Sequence, residues 1–142
     1  MLNNDERVFP MSQYYIQNIE VPMTIEYGAK EVILFCNSPH FSMTKSGHAS
    51  GGLEQNVSNL PKENYQAFVD YVLTIADWFV SQGYPVSAIS PINEPQWKWG
   101  GDWVGQEGCH YTADETVEVL ELFAGSILPI IFWISVIFGF DT

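Results

Sequence analysis

Residues 61–95, PKENYQAFVDYVLTIADWFVSQGYPVSAISPINEP, decide the fold class. Pro61 suits the first position of a helix. Tyr65, Phe68, Val69, Val72, Ile75, Ala76 and Phe79 recur at i, i+3, i+4, i+7 spacing, so an amphipathic helix is predicted from Pro61 to Gln82. Gly83 supplies the left-handed stop and Pro85 prevents continuation. Val86 to Ile92 is then a short apolar run, read as a strand buried on both faces and ended by Pro95.

Upstream, Glu31 to Cys36 is a second such run, also expected to be buried on both faces. Two strands separated by a helix predict a parallel βαβ unit. Gly28 closes an earlier helical segment starting near Pro22, and Thr112 with Glu115 three residues later forms a capping box that opens a further helix. The helix-to-strand connection is only Gly83-Tyr84-Pro85. The strand-to-helix connections, about 37–60 and 93–111, are long and rich in Gly, Ser, His and Trp. Long loops at the carboxyl ends of parallel strands are where α/β proteins, barrels above all, build ligand sites.

Composition narrows the class. With 46% hydrophobic and 15% charged residues the chain can bury a core and is not a solvated polymer. Seventeen acidic against five basic residues give a net charge of -12, which argues against nucleic acid or an anionic membrane surface as partner. Cys36 and Cys109 lack C-x-x-C spacing and read as buried free thiols, with pairing left open if the fold joins them. His40, His48 and His110 have no ligand spacing with Cys or carboxylates, so no metal site is expected. Met1 to Glu6 is polar and acidic, unlike a signal peptide, and the reading adopted is that the true start lies upstream.

From Leu122 to Phe140 the chain carries no charge and is mostly apolar, yet Pro129, the glycines and the β-branched residues make it an awkward helix. It reads as a translated frameshift, as buried strands or as a membrane segment. The expected division is a partial barrel domain over 1–121 and this tail over 122–142.

The chemistry concentrates after the second strand. Glu94 stands where the strand ends, at the mouth of the sheet, and a carboxyl walled by Trp97 and Trp99 would be partly desolvated with a raised pKa, as a glycosidic acid requires. Asn93 offers an amide donor for a sugar hydroxyl beside the scissile bond. Three tryptophans, Trp97, Trp99 and Trp103, fall within seven residues and offer flat faces to pyranose rings. Against this stands the ordinary reading, a solvated loop carboxylate beside packed indoles.

Four runs in order carry a resemblance: Asn37-Ser38-Pro39; Met43 to His48 with Gly51-Gly52; Ser90-Pro91-Ile92-Asn93-Glu94-Pro95-Gln96-Trp97; and Gln106 to Thr112. Together, over about residues 10–120, they resemble glycoside hydrolase family 30, and most of all its endo-β-1,6-galactanase branch. His40 departs from the family's usual second proline. The resemblance implies part of a (β/α)8 barrel, its third and fourth strands, and a retaining hydrolase in which Glu94 is the acid/base. Asn93, Trp97, Trp99, Asn37, His110 and Tyr111 would bind the sugar, with Lys45 and His48 in the loop after the first strand as lesser candidates and Glu107 shaping the site. A polysaccharide substrate and a secreted location are implied, and the hydrolase reading needs no cofactor. The family's nucleophile is a second Glu after the seventh strand. None matches here, since only Asp141 is acidic after Glu121, and the alternative reading is a catalytically inert fragment or weak sugar-binding remnant.

Overall fold

A computed structural model of the chain describes residues 21–101, 106–126 and 133–137. Its elements run α1 (Val21–Glu26), β1 (Val32–Phe35), α2 (Tyr65–Ser81), β2 (Val86–Asn93), α3 (Ala113–Ser126) and β3 (Trp133–Ile137), with 3-10 turns at Phe41–Met43 and Lys62–Asn64. The chain divides into two compact units, residues 1–32 and 33–142. In the first, α1 ends at Gly28, whose φ of 100° takes the left-handed position expected of it and whose N–H donates to the Ile25 carbonyl.

In the second unit, α2 begins four residues later than Pro61. Pro61 is extended (φ -71°, ψ 147°) and leads into the 3-10 turn, whose Asn64 amide donates to the Met43 carbonyl at 2.8 Å. The end of α2 is a full Schellman motif. Gly83 (φ 82°) donates to the Val80 carbonyl at 2.9 Å and Tyr84 to the Phe79 carbonyl at 3.2 Å, while the two rings meet at 5.7 Å. Tyr65, Phe68, Val69, Val72, Ala76 and Phe79 form the buried stripe.

That stripe packs against Ile89 and Ile92 of β2 and Val119 and Phe123 of α3, with Phe68 and Phe123 edge-on at 6.0 Å. The predicted capping box opens α3: the Thr112 N–H donates to the Glu115 carboxylate at 2.9 Å and the Glu115 N–H to the Thr112 hydroxyl at 3.2 Å. This helix continues through Leu122 to Ser126, past the expected boundary at 121.

The sheet order is β1-β2-β3 and β2 pairs with β3 in parallel. Ala88 and Ile89 face Trp133 and Ile134, and Ile92 and Asn93 face Val136 and Ile137. The register therefore slips by one between Ile89 and Ile92. Pro91, with no N–H to give a central strand, falls inside that irregularity. Part of the apolar tail is thus a strand; residues 127–132 and 138–142 lie outside the described residues. Among the described residues no helix is long and apolar enough to cross a membrane.

One expectation is corrected. β1 is not buried on both faces. Leu34 and Cys36 pack on the core, whereas Ile33 and Phe35 are 60% and 46% exposed. Side chains alternate along a strand, and only the face that carries Leu34 and Cys36 meets the core.

Candidate active site

β2 runs extended through Asn93 and breaks at Glu94, whose φ of 44° lies in the left-handed region that a non-glycine residue rarely occupies. Pro95 and Gln96 make the turn, closed by the Trp97 N–H donating to the Glu94 carbonyl at 3.0 Å. Pro at the second position of such a turn has its φ already set. The same carbonyl receives the Trp99 indole N–H at 2.9 Å. The Trp97 carbonyl in turn accepts the Trp99 N–H at 2.9 Å and contacts Nδ1 of His110 at 3.0 Å. A carbonyl only accepts, so Nδ1 carries the proton. The Tyr111 N–H donates to the Pro95 carbonyl at 2.8 Å, tying the end of the loop to its beginning.

The loop after β1 is organised by Asn59, which sequence reasoning did not single out. Its buried amide donates to the Ser46 hydroxyl and the His48 and Gly51 carbonyls at 2.9–3.0 Å, and accepts from the Ser46 N–H at 3.0 Å. Nothing in the sequence separates it from a solvated loop Asn, because its partners lie 8 to 13 residues away. Lys45 donates to the Ser58 carbonyl at 2.9 Å, which assigns it to holding this loop.

The two loops meet through glycines. Gly52 and Gly100 form a parallel bridge, the Gly101 N–H donates to the Gly52 carbonyl at 3.0 Å, and a Cβ on Gly51 would lie 2.5 Å from the Gly100 nitrogen. Gly108 lies flat on the Trp99 indole, leaving no room for a side chain.

The sequence-predicted residues therefore separate. Glu94 is half-buried; Asn93, buried beside it, reaches the exposed Asn37 through an amide pair at 3.5 Å. Trp97 is 43% exposed and can offer a face to a ligand. Trp99 is 1% exposed with its N–H engaged, so it packs the loop instead of forming an open platform, and Tyr111 is equally buried. His110 is buried with one nitrogen committed to Trp97. Trp103 lies outside the described residues. Glu107 is exposed, and its carboxylate acts on the Cys36 thiol and the Tyr71 phenol. The Cys36 thiol is pushed up to about 12 chiefly by burial, with Glu107 adding to it. Cys109 is raised for the same first reason, and both cysteines are free. Among the described residues no cluster of three His, Cys, Asp or Glu could hold a metal.

The model of O-glycosyl hydrolase family 30 matches residues 13–130, most of the chain. The chain belongs to that family. Among solved structures, this family member is similar to a conserved exported protein from Bacteroides fragilis, at 28% identity over 80% of the chain with a TM-score of 0.74. It also shares its fold with a family 30 subfamily 8 xylanase, Xyn30A, from Clostridium acetobutylicum, at 23% identity over 66% of the chain and a TM-score of 0.50. The chain spans 23% of the length of each. No curated protein matches it.

Proposed function

We propose that this chain carries the acid/base half of a retaining O-glycosyl hydrolase that cleaves a β-linked polysaccharide, with Glu94 as the acid/base. The observation that carries the proposal is the break at the carboxyl end of β2, where Glu94 leaves the strand in a left-handed conformation next to Asn93 and an exposed Trp97. Family membership supports the reaction class.

In the first step the Glu94 carboxyl gives its proton to the glycosidic oxygen as the bond to the sugar breaks. In the second, the carboxylate takes a proton from the water that releases the sugar. Asn93 donates to the hydroxyl beside the scissile bond and Trp97 covers one ring face. A retaining reaction also needs a nucleophilic carboxylate about 5–5.5 Å away. We assign it to a part of the enzyme other than the residues of this chain, and infer that the chain by itself binds sugar without turning it over. β1 and β2 would then be the third and fourth strands of a (β/α)8 barrel.

β-1,6-galactan is the proposed substrate, because the four runs together resemble the galactanase branch most; xylan and β-glucosides stand behind it. An extracytoplasmic location is proposed because the Bacteroides neighbour is described as exported.

The test is Glu94→Gln in enzyme carrying both carboxylates. Turnover of polysaccharide should fall about 10²–10⁴-fold, with most of it restored on aryl glycosides whose leaving group needs no protonation. Undiminished activity on polysaccharide would remove Glu94 from the mechanism. Titration of the chain with β-1,6-galacto- and xylo-oligosaccharides, read by tryptophan fluorescence, ranks the two substrates.

A further inference from the structure

An extended residue sends its side chain to the face opposite its predecessor's. The left-handed φ of Glu94 breaks that alternation immediately after Asn93. Such a conformation persists in a non-glycine residue only where its surroundings enforce it. Here the enforcement comes from two N–H groups on one oxygen: the Trp97 amide and the Trp99 indole both donate to the Glu94 carbonyl, at 3.0 and 2.9 Å. The amide bond is local to the turn. The indole bond is not, because it needs Trp99 to be held in place by something else.

That hold has three parts. The ring is buried, with Gly108 pressed flat against it, and the Gly108 N–H is itself tied to the Ala49 carbonyl at 2.9 Å. The backbone that follows, at Gly100, lies against Gly51 and Gly52 too closely for any side chain. The Trp99 N–H donates to the Trp97 carbonyl. The indole is thereby fixed from the loop after β1, and its N–H reaches back to set the backbone of Glu94.

We propose that Trp99 is the positioning residue of Glu94, an internal clamp that transmits the geometry of the β1 loop to the acid/base, and not a sugar platform. The functional half of this inference rests on the acid/base reading of Glu94; the structural half does not. Trp99→Phe removes the N–H together with the five-membered part of the indole, so unchanged shifts of Gly108, which lies against the six-membered ring, are the control that packing survives.

The experiment is NMR on the full chain. In the wild type the Trp99 indole N–H should be protected from solvent exchange, and the Cα shift and HN–Hα coupling of Glu94 should report a left-handed residue. In Trp99→Phe the left-handed signature should be lost while the shifts of α2 stay in place. In active enzyme the same variant should lower kcat and move the alkaline limb of the pH profile, the limb set by the group that must be protonated, leaving KM near its original value. Retention of the left-handed signature in Trp99→Phe, or free exchange of the wild-type indole N–H, overturns the clamp. Should Trp99→Phe not fold, Gly108→Ala, whose side chain would displace the indole, takes its place: loss of the left-handed signature supports the clamp and its retention overturns it. Failure of Glu94→Gln to reduce activity would remove the acid/base reading yet leave the NMR result standing, so the two failures are told apart.

Discussion

Asn59 and Glu94 are both loop residues, and they differ in how far their placement can be read from neighbouring letters. Glu94 is legible because Pro95 follows it and an apolar run precedes it, which together place it at a strand end. Asn59 satisfies Ser46, His48 and Gly51 from outside their own stretch, and no local pattern announces that. Asn59→Ala should strip the loop after β1 of its buried partner and lower stability by about 3 kcal/mol, read from the urea midpoint. The burial of Trp99 was equally hidden, since a Trp in a Gly-rich loop gives no sign of whether its face is covered. Cys36 carries a pH consequence. Its thiol lies at about 12 in the folded chain against 9.0 ordinarily, so the unfolded chain loses its proton first. Stability should be independent of this group below pH 9 and fall as pH rises from about 9 to 12, with a slope approaching about 1.4 kcal/mol per pH unit from this thiol. Urea titrations of wild type and Cys36→Ala across that range would show it as a steeper decline in the wild type.

At the scale of elements, the helices were the most legible features because their ends are written in short range. Thr112 and Glu115 close the capping box and Gly83 with Tyr84 the Schellman motif, each within a turn of the sequence that encodes it. Thr112→Ala should cost about 1 kcal/mol in thermal or urea unfolding, since it removes the acceptor of the Glu115 N–H. Phe68→Ala, at the contact with Phe123 in the centre of the α2–α3 packing, should cost about 3–5 kcal/mol. Both predicted strands are legible in position, and the burial expected of β2 holds over its last five residues while that of β1 does not. Four or five apolar letters look the same whether both faces are covered or one, and Ile33 and Phe35 show that the answer depends on what stands beside the strand. The start of α2 is not written in Pro61 for a related reason: this residue suits an extended lead-in to a 3-10 turn as readily as a helix start.

For the molecule as a whole, the apolar tail illustrates where pattern alone stops. The same run allowed a translated frameshift, buried strands or a membrane segment, and its described part, Trp133–Ile137, pairs in parallel with β2. The family was legible in four runs spread over about residues 10–120, while the sugar stays a proposal. The contact between Gly52 and Gly100 has a last consequence, in time instead of space. Its flanking partners, Gln55 and the Gly100 carbonyl, stand 45 residues apart in sequence, with all of α2 and β2 between them. Two loops so far apart meet only after the intervening helix and strand have docked, because closing a long loop loses entropy that local contacts cannot return. The site around Glu94 should therefore be the last region of this unit to mature during refolding, and the first to open when the folded chain breathes.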